Sequence, residues 1–138
     1  MSKLNKLLLT KSQGYEDSAA VFMALIRGSD RDLILQADLT SITYSVTDLS
    51  DDSNPVSADT LTVANVILDT AVTDDIAWLE KFPGDTLGYN FIFEAPKTWF
   101  PAGGKTYRVE FIFQPTTGAN YEFVVAFEHK TTAIKYSP

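Results

Sequence analysis

The stretch Lys105–Glu128, KTYRVEFIFQPTTGANYEFVVAFE, decides the fold class. Tyr107, Val109, Phe111 and Phe113 fall on one side of a two-residue period; Arg108, Glu110 and Gln114 fall on the other, with Ile112 among them. Successive side chains of a β-strand point to opposite faces, so this alternation reads as a strand buried mainly on one side. Pro115 to Asn120 is a polar turn, after which Tyr121, Phe123, Val125 and Phe127 alternate with Glu122, Val124, Ala126 and Glu128. Two such runs joined by a turn predict an antiparallel hairpin over 105–128, stabilised by aromatic and β-branched cross-strand pairs.

The same period recurs upstream. Tyr89, Phe91 and Phe93 alternate with Asn90, Ile92 and Glu94 until Pro96 stops the run, and Ile42, Tyr44 and Val46 alternate with Thr43, Ser45 and Thr47. Ala20 to Arg27 is a continuous apolar run ended by Arg27-Gly28-Ser29-Asp30, which reads as a buried strand. Ser50 to Ala58 carries Asp51, Asp52, Asn54 and Pro55 and reads as an exposed loop, because short polar side chains bond their own backbone and proline fixes φ. Leu61, Val63, Val66, Ile67 and Leu68 fit a strand over 60–68, a bulged or paired strand, or a brief helix; the strand is the expectation. Asp74 and Asp75 ahead of Ile76-Ala77-Trp78-Leu79 place one helical turn within 73–80. Short strands separated by polar turns, with no sustained helical period, predict a single all-β domain over 1–138, an antiparallel sandwich of about seven strands, with a barrel as the alternative.

Composition narrows the function classes. A chain of 138 residues with 45% in the hydrophobic set can fill one core of ordinary domain size. A net charge of −7 opposes the phosphate backbone, so nucleic acid is not an expected partner. The absence of cysteine removes thiol nucleophiles, zinc knuckles, iron–sulfur clusters and disulfides, leaving packing alone to hold the fold. No apolar run approaches the roughly 18 residues of a membrane span. Leu7-Leu8-Leu9 is too short for a signal h-region, so the expectation is a soluble protein made without a secretion signal.

Charge is unevenly distributed. Between Arg31 and Lys81 there are ten acids and no Lys or Arg, a charge of −10, whereas the remaining eight acids and eleven bases give +3. Such polarity can steer head-to-tail contact between copies or toward a basic partner, although a merely solubilising face is the commoner meaning.

Candidate chemistry is sparse. His129, the only histidine, follows Glu128 at the end of a strand and reads as a surface residue near the sheet edge. No nucleophile elbow, phosphate loop or metalloprotease helix occurs, and paired carboxylates, which could serve a hydrolase, read better as solvated turn residues. Asp48 to Asp59 is rich in oxygen ligands but lacks the order of a calcium loop. No catalytic residue, metal or cofactor is therefore expected. Trp99 and Phe100, between Pro96 and Pro101, form either a sugar-stacking platform or a plug at the end of the core, and Trp78 reads as core.

Two resemblances follow from these residues. Gly88-Tyr89-Asn90-Phe91, then Phe100-Pro101-Ala102-Gly103-Gly104-Lys105-Thr106-Tyr107-Arg108-Val109-Glu110-Phe111, then Pro115-Thr116-Thr117-Gly118, resemble the last three strands of immunoglobulin-like sandwiches. The resemblance implies that Tyr107 forms a tyrosine corner, while the alternation of the hairpin makes Phe111 and Phe123 structural residues; the lack of a cysteine pair excludes an antibody-type domain. With Ser41-Ile42-Thr43-Tyr44-Ser45-Val46-Thr47-Asp48, most of the chain also resembles small uncharacterised structural proteins of tailed bacteriophages. That implies a non-enzymatic virion component, made in the host cytoplasm: a capsid decoration, connector or tail accessory protein. Its partners would be other copies of itself, as a homo-oligomer, or neighbouring virion proteins, with no membrane involved.

The expected contact residues are Trp99 and Phe100 together with Leu4, Leu7, Leu8 and Leu9. These leucines lie among Lys3, Lys6 and Lys11 in a segment 1–14 that reads equally as a docking arm and as an edge strand. A carbohydrate-binding module using exposed aromatics is the alternative function.

Overall fold

The computed structural model describes residues 4–27, 32–50, 55–116 and 122–134, the side chains of 4–9 and 122 excepted. Eight strands form two packed sheets. The larger has the order β1-β8-β7-β3-β4, with β1 at Leu4–Tyr15, β3 at Leu39–Asp48, β4 at Ser57–Leu61, β7 at Thr106–Pro115 and β8 at Glu122–Thr132. The smaller has the order β2-β6-β5, with β2 at Ala20–Ala24, β5 at Ile67–Val72 and β6 at Tyr89–Ala95. The strands β2-β6-β5 stand where B, E and D stand in immunoglobulin-like sandwiches, and β8-β7-β3-β4 stand where G, F, C and C′ stand.

The hairpin read from 105–128 is β7 and β8, antiparallel with Phe111 opposite Val125 and Phe113 opposite Phe123. Its inward residues Tyr107, Val109, Phe111, Phe113, Val125 and Phe127 join Phe22, Ile42, Val46, Ile67, Phe91 and Phe100 in the main core. Edge-to-face rings recur there: Phe91 on Phe111 at 4.9 Å, Phe22 on Phe111 at 6.1 Å and Phe111 on Phe127 at 6.0 Å. Burying one such ring contributes about 1.5–3 kcal/mol, and the edge geometry adds to it by placing a ring's positive rim on its neighbour's negative face. Val124 and Ala126, on the opposite side of β8, are buried as well.

Three expectations are corrected. The strand over 60–68 is instead the end of β4, a helical turn α1 at Val63–Val66, and the start of β5. Of the two readings of 1–14, the edge strand is the one found: β1 covers most of the segment and brings the strands to eight, in keeping with about seven. β1 lies parallel to β8, so the sandwich is not wholly antiparallel. Leu4, Leu7, Leu8 and Leu9 belong to β1 by their backbone, at register positions beside Glu122, Val124, Val125 and Ala126; their side chains lie outside the described residues. Finally, the alternation of 89–94 breaks at its start. Tyr89 joins a second cluster with Met23 and Trp78 while Phe91 enters the main core, as the β5–β6 register is irregular between Ile67 and Val72.

Candidate functional site

The feature that departs most from a plain sandwich is α2, Ile76–Lys81, laid against the outer side of the small sheet. Six residues are too few for a helix to persist alone, so tertiary contacts hold it. Asp75 caps it: one carboxylate oxygen accepts the Ala77 N–H at 2.9 Å, and the other accepts the Tyr89 hydroxyl at 2.6 Å. A second acid closes the other end. Asp85 Oδ2 accepts the Trp78 indole N–H at 2.8 Å and the Gly88 N–H at 2.7 Å.

Each carboxylate is held below its ordinary pKa by these donors, Asp75 chiefly by the Tyr89 hydroxyl and Asp85 chiefly by the Trp78 indole. Tyr89 is pushed up to about 12, first by burial and then by its bond to Asp75. Gly88 allows the close approach that brings these groups together. Its φ is +78°, and a Cβ there would stand 2.1 Å from the Val72 carbonyl oxygen.

Trp78 is clamped between Tyr89, with centroids 5.3 Å apart, and Phe82, at 4.6 Å. In and just after this helix, Ile76 is 73% exposed, Leu87 48% and Phe82 43%. The helical turn and its cap were legible in Asp74-Asp75-Ile76; the braces from Tyr89 and Asp85 were not, since they join residues 14 and 7 positions away.

The expected contact aromatics lie elsewhere and are corrected. Trp99 is 3% exposed, stacked between Tyr44 at 4.5 Å and Phe93 at 5.2 Å, and Phe100 is wholly enclosed. Both plug the core, and the sugar platform they were to provide does not exist at this position. Trp78 is core, as its apolar context indicated.

The three structural residues fall in the sandwich interior or against it. Tyr107 is buried in β7, its hydroxyl accepting the Ala102 N–H at 3.1 Å, the geometry of a tyrosine corner. Phe111 is enclosed in the core, and Phe123 packs on it, stacked with Phe113 at 4.9 Å.

His129 is also corrected. It is 2% exposed, on a strand that is second from the sheet edge rather than at it. The Ser12 hydroxyl lies 2.8 Å from its Nδ1, and Phe100 packs on the ring at 4.3 Å. Burial, and then the charge of Lys81, hold the imidazole below its ordinary pKa, so it is neutral at pH 7. Sequence reasoning missed the pairing because 117 positions separate the two residues.

In the acidic loop, Asp48 accepts both the N–H and the hydroxyl of Ser50 and stands 3.6 Å from Lys105, an arrangement of an ordinary turn; residues 51–54 lie outside the described residues. Among the described residues, no group of three or more acids or histidines is placed to hold a metal. Compared with known protein families, with curated proteins and with solved structures, the chain matches none.

Proposed function

We propose that this is a non-enzymatic structural protein that acts through protein–protein contacts, as a component of a phage virion: a capsid decoration, connector or tail accessory. The observation that supports this reading is the exposure of Ile76, Phe82 and Leu87 in and just after the braced helix α2. Interfaces draw most of their energy from a few apolar or aromatic anchors, and anchors already held in place lose little freedom on binding. Here the holding is done by Asp75, Tyr89, Asp85 and Trp78 through bonds of 2.6–2.9 Å. The non-enzymatic part is supported by how these polar groups are used: each satisfies a partner in a structural bond. The partner is another copy or a neighbouring virion protein, and the −10 charge of the chain's middle favours a basic surface on it.

Size-exclusion chromatography with light scattering, from about 10 μM to about 1 mM, tests the contact because association follows mass action. The expected result is a mass that rises with concentration and returns to that of one chain in Ile76→Asp and Phe82→Asp. A mass fixed at one chain over the whole range in the wild type would falsify self-association. The genes on either side test the setting: capsid, portal or tail genes support it, and a metabolic operon opposes it.

A further inference from the structure

The Ser12–His129 pair does not stand in solid core. It forms one wall of a cavity of about 260 Å³ at the corner where the chain leaves β1 of the large sheet and enters β2 of the small one. Ala20, Phe22 and Met23 supply apolar lining, and α2 contributes Ala77 and Lys81, both exposed, where the space opens to solvent. Gly14 makes room for the imidazole, since a Cβ there would lie 3.0 Å from its Cε1 and Nε2.

The electrostatic character of this space is one-sided. Lys81 is a cation on the rim, and among the described residues no Asp or Glu lines the cavity, although the protein as a whole is acidic. The Ser12 hydroxyl and the neutral His129 imidazole bond each other, so together they keep one further donor, and a donor beside the Lys81 ammonium suits a carboxylate. The volume is just under the roughly 300 Å³ at which pockets begin to hold drug-sized ligands, so the occupant is of fragment size.

We propose that this cavity binds a small organic carboxylate, its charged end at Lys81, Ser12 and His129 and its apolar body against Ala20, Phe22 and Met23. The site is independent of the contact face: the two share α2 but use different residues of it.

The single histidine provides a direct probe, because its imidazole C–H resonances need no assignment among others. Hexanoate and benzoate, titrated at fixed pH with ionic strength held by chloride, are expected to shift these resonances saturably, while hexanol and benzyl alcohol bind about fivefold or more weakly. Lys81→Gln should weaken the carboxylates by about fivefold and leave the alcohols unchanged, as expected for loss of one partly exposed ion pair. Ala77→Phe, on the exposed surface of α2, should abolish both by filling the space, with melting temperature as the check that the fold persists. A shift that fails to saturate by about 100 mM, several times the dissociation constant that about −0.3 kcal/mol per heavy atom gives for ligands of this size, overturns the proposal. So does equal response to acids and alcohols, or carboxylate binding that Lys81→Gln leaves intact.

Discussion

Replacing Asn90 with leucine tests how the small sheet is tied to the segment that follows β2. Asn90 is wholly buried in β6, where its Oδ1 accepts the Ile26 N–H at 2.7 Å and its Nδ2 donates to the carbonyls of Ile26 and Ile34 at 3.1 and 3.0 Å. Leucine has a similar branched shape and none of these groups. The Ile26 carbonyl would keep a partner, because it also accepts the Ile34 N–H at 3.1 Å. The Ile26 N–H and the Ile34 carbonyl would not.

An orphaned buried donor costs about 1–3 kcal/mol, and the partly buried carbonyl adds about 1 kcal/mol more. The extra apolar area of leucine returns about 1 kcal/mol. The net expectation is a loss of about 1–3 kcal/mol, a sizeable part of the roughly 5–15 kcal/mol that a domain of this kind possesses. In a thermal melt it corresponds to about 3–12 °C, at about 3–4 °C per kcal/mol for a chain of this size. Urea unfolding with an unchanged m-value would assign the loss to stability rather than to a changed denatured state. A loss below about 1 kcal/mol would mean that the backbone of 26–34 finds other partners and that the amide is not the tie inferred here.

Two further outcomes follow from the same structure. His129 is neutral in the fold and its pKa lies below the ordinary value of about 6.5 that it has when unfolded. The unfolded chain therefore binds the proton more readily, so the stabilisation is present above about pH 6.5 and is lost as pH falls below it. Urea midpoints at pH 7.5 and 5.5 should decrease in that order and converge in His129→Gln. The depressed carboxylates Asp48, Asp75 and Asp85 act only below about pH 4, outside this window. A wild-type midpoint that is flat or rises on acidification would contradict the burial of the ring.

Gly88 and Gly84 separate conformational strain from crowding. Both have positive φ, +78° and +81°, but a Cβ at Gly84 meets open space whereas one at Gly88 meets the Val72 carbonyl. Gly84→Ala is expected to cost about 1–2 kcal/mol, the strain of a left-handed L-residue. Gly88→Ala should cost several kcal/mol more, since the β5–β6 backbone must separate as well. Equal melting temperatures for the two variants would count against the close approach.

Periodicity alone determined the β class, the hairpin of β7 and β8, the strands at 42–47 and 89–94, and the helical turn with its acidic cap. Those features depend on neighbours two to four positions apart, which a single chain displays directly. Tertiary structure decided what depends on partners distant in sequence. Asn90 and Tyr89 are legible as strand residues, yet whether they face solvent or saturate Ile26 and Asp75 was settled by the elements packed over them. Trp99 carries no sign of its own that it stacks between Tyr44 and Phe93. His129 and Ser12 meet only because β1 adds in parallel beside β8 and sets residue 12 opposite residue 129. Local pattern specifies which face of an element is apolar; the pairing of elements specifies what that face meets, and chemistry resides in the meeting.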